Sequence, residues 1–218
     1  MPSRTLLSAL SAELIGTFLF ITVGGAAVVS DAQTGGAVGL LGISVTFGFV
    51  IAALATAFGP ISGAHFNPAV SLVMAWRKAL PLHLLAGYVV AQLLGAALGA
   101  WLAHAMFELP ILQWSAHVRT GPSQWLAEAV ATAGLLFVIL RSPPGKASAL
   151  VACYIGAAYW FTASTSFTNP AAVFGRMLSD TFAGIDPSDA LGFVASQLVG
   201  AALGWLLHHV LSPPSHPS

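Results

Sequence analysis

Apolar runs of bilayer length, separated by short polar or Gly/Pro-containing connections, fill almost the whole chain. Six of them lie at approximately 8–30, 37–58, 81–106, 122–141, 147–164 and 189–211. Each is long enough to cross a ~30 Å hydrocarbon core, which takes about 20 helical residues. Two further apolar runs, Val70 to Lys78 and Ala172 to Asp180, are too short. About ten residues at 1.5 Å rise give only ~15 Å, half the core. The pattern predicts an all-α membrane protein with six transmembrane helices and two re-entrant half-helices. The first run could pass for a signal peptide, with Arg4 ahead of it, but its length and the embedded Glu13 argue for a retained helix. Pro143-Pro144-Gly145 predicts a tight turn between the fourth and fifth runs.

Both short runs open on the same tripeptide, Asn67-Pro68-Ala69 and Asn169-Pro170-Ala171. Asparagine is a favoured N-cap, because its side-chain oxygen accepts from backbone N–H groups that a helix start leaves unpaired. Proline suits the first helical position, where it has no N–H to lose. The tripeptide therefore reads as a helix start set inside apolar surroundings.

The chain also repeats itself. Ala91-Gln92-Leu93-Leu94-Gly95-Ala96-Ala97-Leu98-Gly99 returns as Ser196-Gln197-Leu198-Val199-Gly200-Ala201-Ala202-Leu203-Gly204, and Ala12-Glu13 with Thr17 returns as Ala127-Glu128 with Thr132. Three crossings per half, an odd number, force the second half to be inverted relative to the first. The repeats cover approximately 1–110 and 120–211, a single domain over 1–211. Transport folds of this kind hold their sites near the midplane, where broken helices meet. Gly95/Gly99 and Gly200/Gly204 allow close backbone approach, within one subunit or between subunits.

Composition agrees with the pattern. The chain is 57% hydrophobic and 6% charged, with a mean hydropathy of +0.86, against roughly 25% charged residues in a soluble domain. Formal net charge is zero, and no basic patch points to nucleic acid. A single cysteine, Cys153, excludes a disulfide framework and a Cys-rich metal site, and reads as a small buried hydrophobe. Six crossings put both termini on one side, with Arg4, Arg77, Lys78, Arg141 and Lys146; the other side holds Arg119 and Arg176. The positive-inside bias then places the termini in the cytoplasm of a plasma (inner) membrane protein. The proline-rich tail 212–218 reads as disordered.

The paired Asn-Pro-Ala motifs resemble those of the aquaporin and aquaglyceroporin (major intrinsic protein) family. Ser62-Gly63-Ala64-His65-Phe66-Asn67-Pro68-Ala69-Val70-Ser71 follows that family's first signature, and Ala12-Glu13-Leu14-Ile15-Gly16-Thr17 its first-helix motif. The resemblance implies a homotetrameric channel in the lipid bilayer without cofactor or catalytic group. It implies that Glu13 and Glu128 accept hydrogen bonds holding the re-entrant loops. It also carries over a selectivity filter of Phe47, Ala157, Ser166 and Ala172. The usual arginine after the second Asn-Pro-Ala is Ala172 here, which implies a wider, less polar filter. The glycerol branch has an aspartate next, where this chain has Val173; the run Asn169 to Arg176 looks more like bacterial channels linked to arsenic and other metalloids.

Half-helices inserted from opposite faces bring two N-termini to the middle of the membrane, each equivalent to about half a positive charge. Cations and excess protons are disfavoured there. If each asparagine oxygen faces its own helix, each NH2 can donate into the lumen. A water accepting from both must point its hydrogens outward, which interrupts a proton relay. The approaches Gly63-Ala64-His65-Phe66 and Thr165-Ser166-Phe167 are expected to present carbonyls to the pore. His65 is expected to act through this backbone and its packing rather than as a metal ligand. Arg176 lies one turn beyond Ala172; it is either a vestibule residue or a cation at a half-helix C-terminus paired with Asp180 or another outer-loop acid. The predicted activity is passive passage of small uncharged solutes: neutral metalloid hydroxides, methylated arsenicals, polyols such as glycerol, and water. A strict water channel is the nearest alternative. An ion-coupled transporter would need Glu13, Glu128 or a histidine, and the hydrolase motifs that would indicate an enzyme are missing from the sequence.

Overall fold

The computed structural model describes residues 3–212, with side chains from residue 5. The Arg4 side chain and tail residues 213–218 therefore lie outside the described residues. Eight helices make up the described chain: α1 (Ser3–Gln33), α2 (Gly39–Ser62), α3 (Pro68–Trp76), α4 (Leu82–Met106), α5 (Pro122–Arg141), α6 (Ala147–Phe161), α7 (Pro170–Met177) and α8 (Pro187–Val210). The two short ones, α3 and α7, start on the prolines of the tripeptides and end two to three residues earlier than the apolar runs suggested.

Five helices are long and apolar enough to cross a membrane. The sixth expected span is shorter than predicted: α6 has 15 residues, about 22 Å at helical rise. It stops because the chain turns extended at Thr162 to enter the approach to Asn169. The turn after α5 forms as expected, closed by Lys146 N–H donating to Pro143 O at 3.0 Å.

Packing repeats between the halves. The α1–α4 pair in the first half matches α5–α8 in the second, and α2 against α6 joins the halves. Glycine makes the long pairs close. A Cβ on Gly95 would sit 2.5 Å from Leu14 O, and one on Gly99 2.6 Å from Phe18 O. Gly200 and Gly204 meet Ala129 O and Ala133 O in the same way. Both Gly-xxx-Gly stripes are thus consumed inside the subunit, α4 on α1 and α8 on α5. Cys153 is exposed on α6, not buried as the sequence suggested, because it lies on the side of that apolar helix turned away from the bundle.

Gly95→Val drives a side chain into a backbone carbonyl that cannot move without α1. The expected loss is about 1–3 kcal/mol, read as a lower Tm in detergent; an unchanged Tm would contradict this packing.

Candidate functional site

The site is built where two helix starts meet. Asn67 and Asn169 are both extended, with φ of −156° and −154°. Each caps its own helix: Asn67 Oδ1 accepts from Ala69 N at 2.9 Å, and Asn169 Oδ1 from Ala171 N at 2.9 Å and Ala172 N at 3.3 Å. Their amides then reach across. Asn67 Nδ2 donates to Thr168 O at 2.8 Å, and Asn169 Nδ2 to Phe66 O at 2.8 Å. Each NH2, expected to donate into the lumen, is thus partly engaged across the junction. One N–H of each amide grips the opposite loop, and the other has no acceptor among the described residues.

The approaches have a backbone that ordinary residues rarely adopt. Positive φ occurs at Gly63 (87°), Ala64 (49°) and Phe66 (49°) in the first, and at Thr165 (60°), Ser166 (54°) and Thr168 (51°) in the second. Such strain at non-glycine residues persists only where the surroundings fix it. Here two buried carboxylates do so. Glu13 accepts from Ser62 Oγ (2.7 Å), His65 N (2.9 Å), Phe66 N (2.7 Å) and Gln92 Nε2 (2.7 Å). Glu128 accepts from Ser164 Oγ (2.5 Å), Phe167 N (2.8 Å), Thr168 N (2.8 Å) and Gln197 Nε2 (2.7 Å). Four donors on each fully buried carboxylate offset the cost of removing it from water. Gln92 and Gln197 were not singled out from the sequence as partners, although both lie inside its clearest internal repeat. His65 also donates or accepts through Nδ1 to Ser71 Oγ at 3.0 Å and packs on Tyr88.

A cavity of about 810 Å³ runs from residues 79–81, 145, 147 and 148 at the lysine-bearing face, past both asparagines, to Phe47, Tyr159 and Arg176. Gly63, Ala64, His65, Phe66, Ser166, Phe167 and Ala172 line it. Thr165 does not; its N–H closes a turn on Thr162 O at 3.3 Å. Ala157 is also outside the lining, and exposed. On α6 the cavity face is Val151, Ile155 and Tyr159, spaced one turn apart, so a residue two positions before Tyr159 points nearly the opposite way.

Tyr159 and Arg176 change the expected filter most. Arg176 is 8% exposed, and its Nη2 donates to Tyr159 Oη at 3.0 Å. Its guanidinium lies 3.9 Å from the Phe167 ring centroid and 5.5 Å from that of Phe47. Of the two readings expected for Arg176, the pairing with Asp180 is not seen among the described residues, where Asp180 accepts from Ala116 N at 3.0 Å and Arg176 lines the cavity. That end of the cavity is therefore neither small-walled nor arginine-free. Behind it stands Arg119, 5.1 Å from the Phe167 centroid. Its Nε and Nη2 donate to Gly184 O (2.7 Å) and Phe182 O (2.6 Å), and Nη1 to Ser164 O (3.4 Å). Burial, and after it the charge of Arg176, brings the Arg119 pKa down to about 10, so it stays cationic at neutral pH. From the sequence Arg119 was only a charge on one side of the membrane.

An all-helical bundle whose strained loops meet tip to tip along one internal passage defines a membrane channel. A family model described as "Major intrinsic protein" matches residues 1–161. Aquaglyceroporin AqpS of Rhizobium meliloti is 47% identical over 211 residues, covering 94% of this chain and 91% of that protein. Aquaporin Z of Rhodopseudomonas palustris is 35% identical over 227 residues, covering 93% and 92%. The crystal structure of the aquaglyceroporin from Plasmodium falciparum superposes with a TM-score of 0.77 at 22% identity, covering 95% of this chain and 98% of that one. The chain belongs to the major intrinsic protein family, whose members are channels and not enzymes.

Glu13→Gln and Glu128→Gln each turn an amide toward backbone donors that need an acceptor. Each is expected to cost about 2–3 kcal/mol, the scale of a lost hydrogen bond to a charged group. Thermal unfolding in detergent checks this; stability equal to wild type in either variant would show that the carboxylates do not hold the loops.

Proposed function

We propose that this protein conducts water and small uncharged solutes passively across a plasma (inner) membrane and excludes ions and protons at the Asn67–Asn169 junction. The observation that carries the reading is the reciprocal hold of the two asparagines at the middle of a continuous cavity. Two helix N-termini there oppose any cation. The one N–H left on each amide donates to a permeating water or hydroxyl oxygen. A water held by both presents its hydrogens outward, and the proton relay along the file is broken.

The solutes are polyols such as glycerol, neutral metalloid hydroxides and methylated arsenicals, with water as a lesser or equal permeant. The similarity to an aquaglyceroporin supports the polyol part. Asn67, Pro68, Ala69, Asn169, Pro170 and Ala171 form the central gate, and Phe47, Ser166 and Ala172 contribute to the selecting region. The carbonyls of 63–66 and of Ser166 and Phe167 serve as acceptors along the path. Domain organisation is one channel over 1–211, in a homotetramer with both termini cytoplasmic. The strict water channel is favoured by one observation, the Tyr159–Arg176 bond across the outer end of the cavity. Coupling to an ion gradient is disfavoured, since both intramembrane carboxylates are fully occupied by loop and glutamine donors.

In proteoliposomes, wild type is expected to pass water, glycerol and neutral arsenite without a proton current. Asn67→Asp puts a carboxylate between the two helix ends and is expected to admit cations or protons. Stopped-flow swelling with a parallel ion-flux assay checks both; ion exclusion unchanged in Asn67→Asp would remove the asparagines from the barrier.

A further inference from the structure

We infer that Arg176, presented by Tyr159, is the solute-selecting donor of this pore, and that the ring of Phe47, Tyr159 and Arg176 supplies the constriction that Ala172 leaves open. This rests on the channel reading above and deepens it.

Ala172 and Arg176 share a face of α7, one turn apart. Arg176 comes from the last turn of that helix, yet its side chain is buried and lines the cavity. Three observations fix where the guanidinium stands. Tyr159 Oη accepts from Nη2 at 3.0 Å, the Phe167 ring lies 3.9 Å away, and the Phe47 ring 5.5 Å away. Phe47 and Tyr159 are themselves in contact, with centroids 5.1 Å apart. A guanidinium carries five N–H donors in a rigid fork. Among the described residues only Tyr159 accepts from it. The remaining donors have no protein acceptor and belong to a buried cation beside a cavity, so an oxygen atom entering the ring satisfies them.

The rest of the ring is aromatic. A solute that fits has an oxygen-bearing edge for Arg176 and an apolar edge for Phe47 and the face of Tyr159. Hydroxylated short carbon chains and neutral oxyacids carrying a methyl group have that form. A cation has neither a place nor a partner. Arg119 reinforces this from behind: each of its three guanidinium nitrogens donates to a carbonyl, of residues 164, 182 and 184, and its charge stands on the same phenyl ring. Tyr159 is a positioning residue, since it acts by holding Arg176 across the path.

The test compares wild type, Tyr159→Phe, Arg176→Ala and Arg176→Ala/Ala172→Arg in proteoliposomes, reading water, glycerol and potassium permeability together. Arg176→Ala is expected to raise potassium leak and to change the glycerol-to-water ratio by about tenfold, the factor carried by one charge-assisted hydrogen bond. Tyr159→Phe is expected to move the ratio in the same direction by less. Returning the guanidinium at position 172 is expected to restore ion exclusion and move the ratio back, which a merely structural role of Arg176 would not produce. A wild-type ratio and ion exclusion in Arg176→Ala overturn the inference while leaving the channel reading intact. So does a parallel loss of all fluxes that the double variant does not recover. Wild type without facilitated flux of water or glycerol overturns both.

Discussion

Two asparagine side chains, each capping one half-helix and gripping the loop that leads to the other, are the constraint from which this structure follows. The oxygen of each amide is committed to its own helix, and one N–H to the opposite carbonyl. Neither half-helix can shift along the membrane normal without breaking a bond belonging to its counterpart. That reciprocity ties the two helix starts to each other at one level of the fold. The proposed selectivity against charge would thus rest on two of the shortest helices of the fold, of nine and eight residues.

Such short helices are not stable by propensity. They stand because the loops before them are nailed to the long helices. Glu13 and Glu128 each gather two consecutive backbone N–H groups, a serine hydroxyl and a glutamine amide. Turning those N–H groups toward the carboxylate goes with positive φ at Gly63, Ala64 and Phe66 in one loop and at Thr165, Ser166 and Thr168 in the other. The glycine-mediated approach of α4 to α1 and of α8 to α5 brings the glutamines within reach. Close packing, buried acid, strained loop and half-helix form one chain of causes, present once in each repeat.

Much of this was legible in the sequence, and for a physical reason. Asn-Pro at a helix start and a carboxylate inside an apolar run are local signals that few other arrangements explain, so the tips and their anchors could be named by residue. The lining of α6 could not. That helix is apolar all round, without a polar stripe to set its phase, and the register fell on Ala157 instead of Tyr159. For Arg176 the spacing left two readings open, a vestibule residue or a helix-end cation paired with an acid, for a related reason. A cation four residues before Asp180 looks like a helical pair, but Asp180 is taken by a backbone N–H from residue 116, a partner that no spacing rule reveals. Thr162 ended α6 early for the same kind of nonlocal reason, the demand of the loop that must descend to Asn169.

A double-mutant cycle on thermal unfolding with Asn67→Ala and Asn169→Ala measures the reciprocity itself. If each asparagine grips the loop that positions the other, the two losses are coupled, with an interaction energy of about 0.5 kcal/mol or more, as for residues in one hydrogen-bond network. Losses that simply add, within about 0.3 kcal/mol as for independent sites, would mean that the two helix tips do not hold one another, and the account would fail.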